Sequence, residues 1–383
     1  MDTPRSLESI ARLVAFDTTS RNANRALIDH ARETLSALGA RIRLTRDPTG
    51  TKQNLFATLG PGERPGLLLS GHTDTVPVDG QAWAGDPFTL RREGDRIVAR
   101  GVVDMKGFLA IVLAKLPDMT AAAPDETFHV ALSYDEEVGC LGVPLLIEDM
   151  LEAGIRPAAC IVGEPTGMAV VVGQKGKIGC HVTVRGRAAH TGVPHLGVNA
   201  VEAAGRAIAH LCDVAAHHRE HGPHDRLFEA PPYTTIQHGL VAGGIAVNTV
   251  PDSCTYDFDI RHLPGIDPRA IVDALRSYVA RAIEPDMQRI DPDAGFAFAL
   301  VPGCLAFETA PDQPIVRRVV AITGNDALRK VGFGTEAGHF AAAGIPTVVC
   351  GPGDIAEAHR ANESLSIADV MACERFLDAL ATT

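Results

Sequence analysis

Three apolar runs in this chain end at, or within a residue or two of, side chains that can hold a metal ion or move a proton. GLLLSGHTDT (66–75) reaches His72, with Asp74 two residues on; HVALSYDEE (129–137) ends in Asp135, Glu136 and Glu137; AACIVGEP (158–165) ends at Glu164. Asp104 stands in RGVVDMKG, and His359 in IAEAHRANE after a fourth apolar run. Ligands of open α/β sheets collect at the carboxyl ends of the strands, so these side chains are expected to converge. Carboxylates and imidazoles without cysteine suit zinc, cobalt or manganese. Plainer roles compete with each: Asp104 sits where it could cap a helix, a Glu-Glu pair is common in solvated loops, and a lone His is more often structural. Their joint placement at strand ends flanked by Gly and Pro, where backbone approaches a site closely, singles them out.

The elements that must position them follow from periodicity. Leu7, Ile10, Leu13 and Val14 share one helical face, a second helix is expected over roughly 24–38, and RIRLTR and NLFATL read as short strands. MKGFLAIVLAKL, just after Asp104, reads as a helix between the first two apolar runs. Buried strands alternating with helices predict a layered α/β sheet. After about residue 174 the texture changes. GKIGCHVTVRG, TTIQHGLVAGG, SCTYDFDIRH and GFAFALVP read as strands, with NAVEAAGRAIAHLCDVAA and DPRAIVDALRSYVARAI as helices. The order β-α-β-β-α-β is the split ferredoxin-like arrangement, expected as an inserted domain.

Composition narrows the function classes. The 383 residues allow two domains, and 46% hydrophobic with 21% charged residues is globular. A formal net charge of −12 argues against nucleic-acid or anionic-membrane partners and leans toward a substrate carrying an amine. No basic-then-apolar leader opens the sequence and no long uncharged apolar run follows, so a cytoplasmic protein without a membrane span is expected. Eight dispersed cysteines form no CxxC pair and fit a reducing compartment.

SGHTDTVP, RGVVDMKG, SYDEEVGCLG, VGEPT and the late AH resemble, in that order, the dinuclear-zinc metallopeptidase family of acetylornithine deacetylase, succinyl-diaminopimelate desuccinylase, aminoacylase-1 and the glutamate carboxypeptidases. The similarity runs through almost the whole chain, including RGRAAHTGVPHLGVNAVEAA and NTVPDSCTYDFDIRHLPG. It implies a phosphorylase/hydrolase-like zinc-exopeptidase catalytic domain, three-layer α/β/α, from residues 1–174 and 304–383. Residues 175–303 would be the inserted ferredoxin-like α+β lid and dimerisation domain. It also implies two divalent ions, zinc first and cobalt as the alternative. His72, Asp104 and Glu164 resemble the ligands of one ion, and Asp104 would bridge to a second held also by Glu137 and His359. Glu136 resembles the general base, and Asp74 the residue that orients His72. The implied reaction is hydrolysis of the amide of a small N-acyl amino acid by a water shared between the ions.

The same resemblance makes His190, in RAAHTG, an oxyanion stabiliser donated by a partner subunit, and hence the chain a homodimer. Asn248 and Arg261 would bind the substrate α-carboxylate, which the fork of a guanidinium matches. FGTEAGHFAAAG, with Thr335 and Glu336, looks like the acetylornithine deacetylase branch and makes Glu336 a partner for a substrate ammonium; its alternative is to cap the following helix. HRANES departs from the HxPDE-like ending and leans toward the desuccinylase branch. N-acetyl-L-ornithine, in arginine biosynthesis, is thus the first expectation, with succinyl-diaminopimelate or a broader N-acyl amino acid or dipeptide range as the alternative. A binding protein on this scaffold would be expected to have lost a ligand or the base, and all six central positions are filled. His210, His217, His218, His221 and His224 fit no standard zinc spacing and are expected at a helix end and in a solvated loop.

Overall fold

The computed structural model describes residues 4–62, 65–228 and 231–382. They form two compact units: one runs to Gln174 and resumes over Phe307–Val331 and from Thr335 onward, the other comprises Lys175–Ala306 with Gly332–Gly334.

Four parallel strands form the middle of the first unit's sheet, in the spatial order Phe128–Ser133, Leu67–His72, Ala159–Val162 and Thr347–Val349. All residues of Leu67–His72 and Phe128–Ser133 are buried. Helices covering both faces of a parallel sheet leave no wet side, which is why these strands read as unbroken apolar runs. The faces still separate by parity. Leu55, Leu67, Leu69, Val130, Leu132, Ile161 and Val348 share a core with helices Leu7–Val14, Arg25–Ala37, Lys106–Ala122, Pro314–Thr323 and Ile367–Leu380. Helices Val143–Glu152 and Ala337–Ala342 pack on the sheet outside that core, completing an α/β/α layering. Lys106–Ala122 is apolar around most of its circumference and buried nearly continuously from Lys106 to Leu116, as expected of a helix wedged between other elements. Antiparallel strands flank the parallel core: Gln53–Leu59 and Arg41–Arg46 on one side, Val171–Gln174 on the other. Phe307–Glu308 and Arg329–Val331 both pair with Val171–Gln174. These last three strands are two to four residues long, too short for any period to mark them.

The second unit has a four-stranded antiparallel sheet in the order Thr235–Gly243, Ser253–His262, Gly176–Arg185, Gly295–Val301. Helices Ala200–His221 and Pro268–Ala282 bury Ala207, Leu211, Leu275 and Val279 against Val182, Tyr256 and Ile260. Side-chain caps start both helices: Asn199 accepts from the amides of Val201 and Glu202, and Asp267 from Arg269. The connectivity is β-α-β-β-α-β. The first helix runs on to His221, so His217, His218 and His221 are helical rather than in a loop, and His210 stacks on Tyr278 with ring centroids 3.8 Å apart.

Candidate metal centre

Each strand of the parallel core hands its last residue to a loop at the same edge of the sheet. His72 closes its strand with its imidazole wholly buried. Its Nδ1 donates to the Asp74 carbonyl at 3.0 Å and lies 3.4 Å from Asp74 Oδ1. That leaves Nε2 facing Asp104 Oδ1 at 2.9 Å and Glu164 Oε1 at 3.6 Å. The second oxygen of Asp104 lies 3.0 Å from His359 Nε2, which also meets Glu137 Oε2 at 3.0 Å. One carboxylate thus stands between two imidazoles, one on each oxygen. Two overlapping trios, His72–Glu136–Glu164 and His72–Asp104–Glu137, bring ligand atoms within 4.8 Å of one another.

Asp104 does not cap the helix after it. Met105 holds the N-cap position, no side chain caps that end, and the Asp104–Met105 bond is cis. The carboxylate is spent on the two imidazoles instead.

Glu136 and Glu137 ride on a tight loop. Asp135 has φ +55° and Cys140 φ +56°, and the amides of Gly139 and Cys140 both return to the Glu136 carbonyl. Asp74 fixes this loop from the neighbouring strand end: its carboxylate accepts from the amides of Glu136 (3.1 Å) and Glu137 (3.3 Å) and from Ser20 Oγ (2.8 Å). Lys52 reaches both the Ser20 carbonyl and Asp135. The adjacent glutamates then differ. Both oxygens of Glu137 face His359 at 3.0 and 3.2 Å, whereas Glu136 Oε1 has the Cys140 thiol at 3.4 Å.

So many acids in a small volume perturb one another. Burial, then repulsion from Glu137, Asp104 and Asp74, pushes Glu136 up to about 8 against the pull of His72. Glu164 is driven well above the usual carboxylate range by burial and by Asp104. Hydrogen bonds to Asp104 and Glu137 raise His359 to about 10. Burial opposes the charge on His72, yet its bonds to Asp104 and Asp74 carry it well above an ordinary histidine. Cations placed among these groups would relieve the repulsion, so the donor set fits divalent ions.

Glu336 is near enough to the centre to feel the charges of His72 and Asp74, but it faces neither. It is fully buried, and its two oxygens accept from Ser70 Oγ and Ser133 Oγ, each at 2.5 Å. An ammonium would have to displace those hydroxyls to reach it. Nor does it cap the next helix with its side chain, since Thr335 Oγ1 accepts the Ala337 amide at 3.0 Å.

The second unit brings two of its candidates together. His190 pairs in register with Thr249, the Thr191 amide donates to the Asn248 carbonyl at 3.2 Å, and both His190 and Asn248 are exposed. His190 Nδ1 accepts the Gly192 amide at 2.9 Å, which leaves Nε2 outward. Arg261 stands apart at the far end of strand Ser253–His262, bonded to Asp259 at 3.0 Å. Eight residues of extended strand put it about 25 Å from the end where Asn248 enters, too far for one chain to close both on a small carboxylate.

Two supporting residues lay outside the sequence reading. Ser20 comes from a loop without periodic signal. Glu363 is the acid of HRANES, wholly buried against the loop that carries Asp104.

The model of peptidase family M20/M25/M40 matches residues 68–383. The acetylornithine deacetylase of Myxococcus xanthus is 35% identical over 381 residues, covering 98% of this chain and 96% of that protein. The acetylornithine deacetylase of Pectobacterium carotovorum is 34% identical over 360 residues, covering 94% and 91%. Among solved structures, an M20 family metallo-carboxypeptidase from Sulfolobus solfataricus superposes with a TM-score of 0.78 at 18% identity, covering 100% of this chain and 99% of that one. A dinuclear metal binding peptidase of the M20 family from Bacillus subtilis superposes at 0.67 with 14% identity, covering 99% and 98%.

Proposed function

From the premise that this chain belongs to peptidase family M20/M25/M40 and is a hydrolase of that family, we propose that it removes the acyl group of an N-acyl amino acid, N-acetyl-L-ornithine first, at a two-cation centre. The observation that carries the reading is the Asp104 carboxylate set between His72 and His359, with one oxygen turned to each. His72, Asp104 and Glu164 would hold one ion; Asp104, Glu137 and His359 the other. Zinc suits this donor set first and cobalt second. The ions would supply a water of lowered pKa and positive charge for the oxygen of the breaking amide.

The chain's own residues do the rest. Glu136, whose carboxylate does not face His359, takes the water's proton and passes it to the departing amine. Asp74 keeps His72 Nε2 turned inward while holding the amides of Glu136 and Glu137, so one carboxylate sets the relation of ligand and base. His190 and Asn248 meet the substrate of a neighbouring subunit and Arg261 that of its own, because the two groups lie too far apart in one chain. The second unit, near residues 175–303, then serves as lid and dimerisation domain of a cytoplasmic homodimer in arginine biosynthesis; all eight cysteines are free thiols, and no helix among the described residues is long and apolar enough to cross a membrane.

The burial of Glu336 favours a second reading. Without an exposed acid at that position, the feature pointing to an ammonium side chain is gone, and a broader N-acyl amino acid deacylase range gains ground, beside the desuccinylase reading toward which HRANES leans. Zinc- or cobalt-loaded protein should be assayed with N-acetyl-L-ornithine, N-succinyl-diaminopimelate and a dipeptide. Preference for acetylornithine is expected. A far faster second or third substrate overturns the substrate assignment, and no hydrolysis of any overturns the chemistry.

A further inference from the structure

Asp104 and His359 lie more than 250 positions apart in sequence, yet both approach within 3.0 Å on the same carboxylate–imidazole contact. A continuous polar chain runs from the loop of Asp104 to the backbone of His359. Glu363 Oε1 accepts from the amides of Val103 (2.7 Å) and Asp104 (3.0 Å), and Oε2 from the Gly101 amide (2.9 Å) and Arg100 Nη1 (2.8 Å). Arg100, 1% exposed, lies over the Trp83 ring at 5.1 Å and donates through Nη2 to Gln81 Oε1 at 2.5 Å. Trp83 Nε1 donates to the same oxygen at 3.0 Å. Gln81 Nε2 then donates to the carbonyl of His359 at 2.9 Å. His359 has φ +61°, a left-handed conformation costly for a side-chain-bearing residue, so something outside its own backbone must hold it there.

Glu363 thus grips the Asp104 side through backbone amides, Gln81 grips the His359 side through a carbonyl, and Arg100 joins the two. Glu363 is buried, but Gln81 is only half-buried and sits in an irregular loop, which makes it the accessible end of the network. We propose that Gln81, Arg100 and Glu363 form a clamp that sets the Asp104–His359 spacing and thereby governs occupancy of the second cation position. None of the three touches a reacting atom; they are positioning residues. The inference rests on the two-cation reading above.

The test uses the full chain, stripped with a chelator and titrated with zinc by calorimetry, with zinc content measured after gel filtration. Gln81→Ala and Gln81→Glu are each expected to keep the first ion at wild-type affinity and to weaken the second roughly 10- to 100-fold, the range for losing an outer partner of a ligand. Gln81→Glu is the sharper variant: it keeps an acceptor for Arg100 and Trp83 but cannot donate to the His359 carbonyl. Glu363→Gln, which disturbs the amide of the bridging Asp104, is expected to weaken both ions. Wild-type affinity for both ions in the Gln81 variants, or equal loss of both with a lowered unfolding temperature, overturns the clamp. A wild-type chain that takes up fewer than two ions overturns the two-cation reading and the clamp with it; that failure is distinguishable because it shows before any substitution is made.

Discussion

The two neighbouring glutamates share one loop yet meet different partners. Glu137 is engaged by His359 and Glu136 is not, so replacing Glu136 by Gln should cut turnover by roughly 10²- to 10⁴-fold while zinc content stays the same. Unchanged turnover in that variant sinks Glu136 as the base. The imidazoles give a second prediction. Without cations, hydrogen bonds to Asp104 and Glu137 hold His359 protonated up to about pH 10, and His72 is likewise charged at neutral pH. Cation binding needs both neutral, so zinc added to the stripped protein near pH 7 should release protons, and apparent affinity should rise with pH. Calorimetry in buffers of different ionisation enthalpy reads the release directly; no dependence on buffer would contradict it. In the stripped protein the sign reverses. His359 is raised in the folded state, so its contribution to stability is full below its ordinary value near 6.5 and is lost as pH climbs through about 10.

At the level of elements, the site depends on strand ends that approach one another without side chains between them. A Cβ on Gly163, between Val162 and Glu164, would stand 2.0 Å from the Phe108 ring on helix Lys106–Ala122. One on Gly351, in the loop after Thr347–Val349, would stand 2.1 Å from the Gly163 carbonyl. Gly163→Ala should therefore lower stability by about 1–3 kcal/mol, the usual cost of overpacking, and weaken cation binding by shifting Glu164. Thermal unfolding with and without zinc separates the two effects. The turn from Asp135 to Cys140 is equally specific, since its closure on the Glu136 carbonyl turns two acids toward Asp104 rather than toward solvent.

At the scale of the whole molecule, the proposed roles of Arg261, His190 and Asn248, which lie apart within one unit, are tested through a second copy. Mixing inactive Glu136→Gln protein with inactive His190→Ala protein should restore part of the activity if His190 serves a neighbouring subunit, because a hybrid dimer contains one centre with both residues intact. Activity that stays at the level of the separate variants would place His190 in its own chain's site. Sedimentation or light scattering on the same samples checks that hybrids can form.

The sequence by itself determined the layered α/β class, the β-α-β-β-α-β order of the second unit and the convergence of His72, Glu136, Glu137 and Glu164, because buried parallel strands write themselves as apolar runs and their ends are marked by the polar residues that follow. It also determined the family, through five ordered motifs. Tertiary structure alone decided what spacing leaves open. For Asp104 spacing left helix capping open beside metal ligation; the loop held by Glu363 turns its carboxylate to two imidazoles and away from the helix end. Glu336 looked like a substrate partner until Ser70 and Ser133, on adjacent parallel strands, closed over it. The clamp joins Gln81, in a loop without periodic signal, to Arg100 and Glu363, whose segments are marked in the sequence but whose pairing is not. Each turns on a contact between residues more than two hundred positions apart (Asp104 with His359, Glu336 with Ser70, Gln81 with His359), and such a contact leaves no period in the chain that makes it.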